Sequence, residues 1–330
     1  MPYQLSKEEF SRIFGAWAQK FIIFAPKLMA GEGCYDDTDV IRYVQVRSID
    51  EVEWKKRSDY SFKDVLTPIN ETLFYFTESQ TTVPELPEKD FLVLLRSCDL
   101  NAVKRLDDIY LKNTFGDFYY ARRKEKVKFV LIDCPESCGS GFCVSMGTDK
   151  CADYDAALRF GDESVMLDVK YAPLAEGLKG AEADWSPSGP GGNYEKVTLP
   201  KKLSVASYGN PIWKEYGDRC IGCGRCNFVC PSCTCFSMQD IFYRDNPKTG
   251  ERRRVWASCQ VDGFTDIAGG GSFRKDQGER LRFKVMHKVH DFVKRFGYTM
   301  CVGCGRCEDV CPEYISYITC LNRLAKEEEE

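Results

Sequence analysis

Residues Cys220–Pro231 read CIGCGRCNFVCP, and residues Cys301–Pro312 read CVGCGRCEDVCP. Each is a complete Cys-x2-Cys-x2-Cys-x3-Cys-Pro run. Two-residue gaps let three successive sulfurs turn toward one small object, whereas the fourth, three residues on, faces elsewhere. In the bacterial pattern of this spacing the fourth cysteine ligates the other cluster. The spacing therefore assigns one [4Fe–4S] cluster to Cys220, Cys223, Cys226 and Cys311, and another to Cys301, Cys304, Cys307 and Cys230. Gly222, Gly224, Gly303 and Gly305 allow backbone N–H groups to come close to the sulfides. Cross-ligation requires the long segment between the runs to loop out, and a local four-cysteine arrangement is the alternative. Structural zinc needs only four ligands in two pairs, which explains two full runs with trailing Cys-Pro poorly.

Working outward, the chain has 330 residues, 18 of them cysteine, and is 43% hydrophobic. That length suits two or three domains. Met1–Phe14 is polar and does not read as a signal peptide. The longest apolar stretches, Phe21–Pro26 and Phe91–Leu95, are too short to cross a bilayer. These features predict a cytoplasmic protein with no membrane contact, in which clustered reduced cysteines bind metal. The net charge of −4 argues against nucleic acid as the main partner.

Residues 1–19 read as a helix, with a capping box at Ser6–Glu9 and Phe10, Ile13, Phe14 and Trp17 at helical spacing. Strands are predicted at Phe21–Pro26, Ile41–Val46, Leu73–Phe76, Phe91–Arg96, Lys128–Asp133 and Val165–Val169, with a helix over Asp99–Tyr110. This alternation predicts an α/β N-terminal domain over residues 1–183. Pro187, Gly189, Pro190, Gly191 and Gly192 mark a linker over 184–200. Residues 201–330 read as a mainly α-helical dicluster ferredoxin-like domain, with its clearest helix at Arg280–Phe296 and a solvated charge run at Lys326–Glu330.

Residues 134–151 read CPESCGSGFCVSMGTDKC. FLVLLRSCD and KFVLIDCP share one design, a buried strand with a cysteine just past its C-terminal end. As parallel neighbours those strands would deliver Cys98 and Cys134 side by side, at the edge where open α/β sheets hold ligands. This predicts a third [4Fe–4S] cluster on Cys98, Cys134, Cys138 and Cys143, with Cys151 the alternative to Cys98. Cys233, Cys235 and Cys259 read as packed thiols in a dry cluster pocket, leaving Cys34 and Cys320. Gly269–Ser272 reads as a flexible turn, with a site for an anion or flavin phosphate the alternative, and His287 and His290 as surface residues amid Lys284, Lys288 and Lys294. Residues 271–300 carry eight Lys/Arg against three Asp/Glu. That excess suits a solvated helix, or a docking surface, or positive charge that offsets anionic clusters. No G-x-G-x-x-G follows a strand, so no cofactor beyond the clusters is predicted.

The segments RSCDLNAVKRLD, DCPESCGSGFCVSMGT, CIGCGRCNFVCPSCTCF, WASCQVDGFTDIAGG and CVGCGRCEDVCP together resemble the iron–sulfur electron-transfer subunit of anaerobic sulfite reductases, as do FIIFAP, DTDVIRY and ETLFYF. The same core resembles the beta subunit of cytosolic sulfhydrogenases of the nickel–iron hydrogenase type, and the N-terminal segments favour sulfite reductase. The first resemblance implies a heteromeric enzyme in which a flavin subunit oxidises NADH, this chain relays electrons, and a siroheme subunit reduces sulfite to sulfide. It implies no catalytic residue in this chain. It also implies Cys98 beside the cysteine-rich loop and no cysteine at the place of Cys151, with the loop cysteines shifting in register around Cys138.

Overall fold

Phe91–Leu95 is buried at every position, the mark of a parallel strand covered on both faces. In the computed structural model, which describes residues 2–35 and 37–328, it is the strand β6 near the middle of an eight-stranded sheet. The chain enters that sheet with β1 (Pro2–Ser6), crosses one face as α1 (Lys7–Lys20), and continues through β2 (Ile22–Met29) and β3 (Val40–Val46). A short helix α2 (Lys63–Leu66) precedes β4 (Asn70–Phe76) and β5 (Thr81–Thr82). After β6 come α3 (Ser97–Tyr110), α4 (Phe118–Glu125), β7 (Val127–Ile132), β8 (Ala156–Phe160), β9 (Ser164–Val169) and β10 (Ala181–Glu182). The strand order is β10-β1-β9-β8-β7-β6-β2-β3. β2, β6, β7 and β8 run parallel, and the outer strands pair antiparallel.

Alternation along the buried strands builds two cores. Leu92, Leu94, Val130 and Ile132 meet Phe10, Ile13, Phe14 and Trp17 of α1. Val93, Leu95, Phe129 and Leu131 meet Leu100, Val103 and Leu106 of α3. Each such side chain contributes roughly 1.5–3 kcal/mol through its removal from water.

The C-terminal part contains α5 (Ile212–Arg219), α6 (Arg225–Phe228), β11 (Phe236–Phe242), β12 (Gly250–Trp256), α7 (Gln277–Met286), α8 (Phe292–Phe296), α9 (Arg306–Asp309) and α10 (Tyr317–Glu327). A π-helical turn, His287–Asp291, joins α7 to α8. Trp213, Tyr216, Leu281, Val285, Leu321 and Leu324 share a third core with Phe142 and Met146 from the cysteine-rich loop.

Two expectations change. The helix predicted over 1–19 begins only at Lys7. Pro2–Ser6 is a strand, because alternating Tyr3 and Leu5 register against Leu167 and Val165; Met1 lies outside the described residues. The capping box is present, with Glu9 N donating to Ser6 Oγ at 3.1 Å and Ser6 N to Glu9 Oε2 at 2.8 Å. The C-terminal part also carries a hairpin, β11–β12, which joins β4 and β5 in the order β11-β12-β4-β5. Hydrogen bonds of that sheet therefore cross the division placed at 184–200. The turn read at Gly269–Ser272 is present: Gly269 and Gly270, at φ 92° and 82°, connect Asp266–Ile267 to its partner strand Gly271–Ser272. Glu329 and Glu330 of the charged tail lie outside the described residues.

Candidate iron–sulfur centres

Both cysteine runs fold alike: an open loop, then one turn of helix. Gly222 and Gly224 sit at φ 67° and 75°, and Gly303 and Gly305 at 62° and 75°. Only glycine adopts that region without strain, and it turns backbone N–H groups toward sulfur. Gly303 N donates to Cys301 Sγ at 3.5 Å, and Gly222 N–H bonds Cys220. Among the described residues no three His, Cys, Asp or Glu side chains converge tightly enough for a single ion. The thiols instead surround apolar spaces, an arrangement that fits a multi-iron cube.

One space is walled by Cys220, Cys223, Cys226 and Cys311, with Leu281, Ile315 and Cys320 behind them. Burial, then the Cys226, Cys311 and Cys223 sulfurs, raises the Cys220 pKa. Ile315 N donates to Cys311 Sγ at 3.3 Å. The other space is lined by Cys301, Cys304, Cys307 and Cys230, with Phe142 beside them. The fourth cysteine of each run thus lies in the pocket of the other run. Cys226, Cys307, Lys284 and Tyr317 line both pockets, which are adjacent.

The third group assembles at the sheet edge. β6 and β7 are parallel neighbours with Leu95 opposite Leu131. Cys98 opens α3, and Cys134 follows β7. Cys134 is within electrostatic reach of Cys138, Cys143 of both, and Cys98 of Cys143 and Cys304. Asn193 Nδ2 donates to Cys143 Sγ at 3.6 Å. Cys151 lies apart, in a cleft with Lys150, Asp153 and Tyr154. The third group abuts the second pocket. A Cβ on Gly305 would stand 2.3 Å from Ser140 O, and one on Gly303 2.6 Å from Phe142 O. Arg306 fastens this junction. Its guanidinium, 1% exposed, holds the buried Asp99 carboxylate at 2.6 and 2.9 Å and donates to Ser58 O at 2.9 Å.

Buried cations were the part of the site that the sequence left undecided. Lys284 and Lys288 are 5% and 3% exposed, and His290, read as a surface residue, is buried beside them. Lys63, on α2, is 4% exposed and drew no attention in the sequence. Among the described residues none of the three lysines pairs with a carboxylate. Burial alone would lower the Lys284 pKa, but the Cys226, Cys307 and Cys233 sulfurs outweigh it and raise it. Lys288 is raised in the same way by Cys230, Cys233 and Cys301, and donates to Cys230 Sγ at 3.2 Å. Burial lowers the Lys63 pKa; its ammonium donates to Asn227 O and Cys233 O, each at 3.1 Å. Arg96 serves the third group, donating to Cys134 Sγ at 3.3 Å and to the Trp54 and Lys56 carbonyls at 2.9 Å. Buried ammonium and guanidinium groups without carboxylates call for another anion, and thiolate-ligated clusters supply one. Of the readings of segment 271–300, the offset of anionic charge describes Lys284 and Lys288. The spacing Lys284–Lys288, one turn apart on the core-facing side of α7 and the π-helical turn that continues it, was the available signal. His290 Nδ1 meets Asp291 at 2.9 Å and His287 stacks on Phe283, so the histidines form no shared site.

A 4Fe–4S dicluster domain family matches residues 219–315. Sulfhydrogenase 2 subunit beta of Pyrococcus furiosus is 29% identical over 314 residues, covering 86% of this chain and 88% of the relative. No solved structure matches. Among the described residues no helix is long and apolar enough to cross a membrane. The chain joins a mixed α/β N-terminal region to a 4Fe–4S dicluster domain.

Proposed function

We propose that this chain is the iron–sulfur electron-transfer subunit of a heteromeric oxidoreductase of the sulfhydrogenase type. In this reading it holds three [4Fe–4S] clusters: an outer one on Cys220, Cys223, Cys226 and Cys311, an inner one on Cys301, Cys304, Cys307 and Cys230, and a third on Cys98, Cys134, Cys138 and Cys143. The interchange of Cys230 and Cys311 between the two pockets is the observation that carries it. The likeness to a sulfhydrogenase beta subunit over most of both chains supports the kind of enzyme. A bound [4Fe–4S] cluster accepts and returns one electron. The chain's own residues do the rest. Apolar walls exclude water, Lys284, Lys288 and Arg96 balance the charge, and the 301–306 loop pressed on residues 140–143 keeps inner and third sites in contact. The order outer, inner, third follows from that contact and from the shared pocket walls. Cys223 and Ile221, exposed beside the outer pocket, offer the edge where a redox partner would approach.

The reading as the iron–sulfur subunit of an anaerobic sulfite reductase, with flavin and siroheme partner chains, is favoured by FIIFAP, DTDVIRY and ETLFYF. Isolation of the native complex separates the two: siroheme absorption in a co-purifying chain establishes the second reading, and hydrogen-dependent dye reduction establishes the first. Iron and sulfide analysis with low-temperature EPR tests the wire itself. Roughly twelve irons per chain are expected for three cubes; roughly eight would remove the third cluster. Isolated chain that reduced sulfite from a chemical reductant would overturn the relay role.

A further inference from the structure

Cys235 and Cys259 stand outside all three proposed ligand sets, yet their sulfurs lie within hydrogen-bond reach of each other. The sheet brings them together. Cys235 immediately precedes β11, and its carbonyl accepts from Ala257 N at 3.0 Å just beyond β12. Cys259, two residues on, also points its backbone N–H at the Cys235 sulfur. Cys259 is 4% exposed, whereas Cys235 is half-buried. The Cys259 sulfur accepts from Asn227 Nδ2 at 3.0 Å and from Gln260 Nε2 at 3.5 Å. Donation from the Cys235 thiol, then from Gln260 and Asn227, overcomes burial and lowers the Cys259 pKa to about 5. Sulfurs in such contact cannot hold different irons of one cube, whose cysteine sulfurs stand apart at its corners. The pair is built for bonding to itself.

We propose that Cys235 and Cys259 are a reversible dithiol–disulfide couple that exchanges with low-molecular-weight disulfides beside the outer pocket. The half-buried Cys235 sulfur attacks one sulfur of the small disulfide as its proton passes to the Cys259 thiolate, which acts as the base. One small thiolate leaves and takes the proton back from Cys259. The Cys259 thiolate then attacks Cys235, forming the internal disulfide and expelling the second small thiolate. Two protein sulfurs are oxidised and one small disulfide is reduced to two thiols, one of them ionised. Closure removes Cys259 as acceptor for the Asn227 and Gln260 amides. Asn227 follows Cys226 directly, and Gln260 lines the outer pocket. A Cβ on Gly224 would meet Val261 and Ser258 at 2.7 and 3.0 Å, so the 258–261 segment lies directly over the outer loop. The couple is thus a thiol-status input to the end of the chain where a partner approaches. The couple itself needs no iron; its effect on the outer pocket rests on the proposed cluster reading.

The test uses anaerobically prepared full-length holoprotein, equilibrated with mixtures of oxidised and reduced dithiothreitol, acid-quenched, alkylated and mapped by peptide mass spectrometry. The ratio of linked Cys235–Cys259 peptide to alkylated peptides is expected to rise roughly tenfold for a tenfold rise in that mixture's oxidised-to-reduced ratio, and to reverse. Iron content should stay constant. With glutathione disulfide, C259S holoprotein should trap a mixed disulfide on Cys235 with its iron retained. Two results overturn the proposal: both cysteines alkylated at every ratio, or loss of a cube's worth of iron from C235S or C259S, which would make them ligands. Wild-type mapping decides the matter even where a variant fails to fold. Protein devoid of clusters would sink the relay reading while leaving the disulfide readout intact.

Discussion

CIGCGRC and CVGCGRC differ at one residue, yet the protein puts them in opposite settings. From Cys301 to Arg306 every residue is buried, whereas Ile221, Cys223 and Arg225 of the first run are exposed. The same heptapeptide frame makes a solvent-side pocket in one place and an interior pocket in the other. What differs is the cover. The second loop lies against residues 140–143 and α3, and the first meets the 258–261 segment and Gln277 of α7 while its outer side stays open. Identical ligand spacing therefore specifies the local fold of a cluster loop but not its electrostatic surroundings, which come from what distant parts of the chain lay on it.

The largest effect expected is on the interchange that both pockets share. Cys311→Ser should abolish the EPR signal of the outer, solvent-side cluster while leaving the inner one, and Cys230→Ser should do the reverse. Local ligation within each run predicts the opposite assignment, which spin-relaxation enhancement by an added paramagnetic ion distinguishes, since only the exposed cluster responds.

Arg306 and Arg225 occupy equivalent places and break the symmetry next. Arg306→Ala leaves Asp99 buried without its partner and should cost about 3–5 kcal/mol. Arg225→Ala, on the exposed loop, should stay within about 0.5 kcal/mol. Denaturant unfolding of the two holoproteins under argon measures the contrast, and equal midpoints would refute the claim that Arg306 fastens the inner loop to α3.

The glycines allow a finer comparison. Gly224 and Gly305 both sit at φ 75°, so alanine at either meets the same left-handed penalty of about 1–2 kcal/mol. At 224 the added methyl meets side-chain atoms of Val261 and Ser258, which can shift. At 305 it meets the Ser140 carbonyl at 2.3 Å, backbone that cannot move without dragging the third cysteine group. Gly305→Ala should therefore lose more stability than Gly224→Ala, together with iron from the inner and third sites.

How much of this was legible depended on whether the signal was local. The cysteine spacing, the Ser6 capping box and the buried strands ending at Cys98 and Cys134 are all local patterns, and each lies in the structure where the sequence placed it. The parallel pairing of β6 and β7 was reachable because two strands shared one design. Lys63 was not, since nothing in FKDVL distinguishes a lysine that will be capped by Asn227 and Cys233 carbonyls from a solvated one. For Lys284 and Lys288 the sequence left a solvated or docking face and an offset of cluster charge equally open, because charge is normally exposed; only the assembled pockets favour the offset. Pro2–Ser6 was absorbed into the helix that follows because a strand's partner, here β9, lies far along the chain. The β11–β12 hairpin was missed although its strands pair locally, because β11 is almost wholly exposed and the buried positions of β12 are Gly250, Glu251 and Arg254, which leaves no apolar alternation to read.

The smallest effect expected comes from those lysines, and it separates the two pockets without dismantling either. Lys288 contacts Cys230 and lines only the inner pocket, whereas Lys284 lines both. A cation near a cluster favours the added electron, so its removal makes reduction harder. Taking charges about 6–8 Å apart at an effective dielectric near 20, each neutralisation is worth on the order of 2–3 kcal/mol, or roughly 90–120 mV for one electron. Lys288→Met should lower the inner potential by that amount with little change outside. Lys284→Met should lower both, the outer one less because water screens it. EPR-monitored redox titration resolves the two signals. Equal shifts at both clusters in Lys288→Met would mean that the lysine acts through the general field of the domain, and the buried pocket would then owe its distinct character to burial alone.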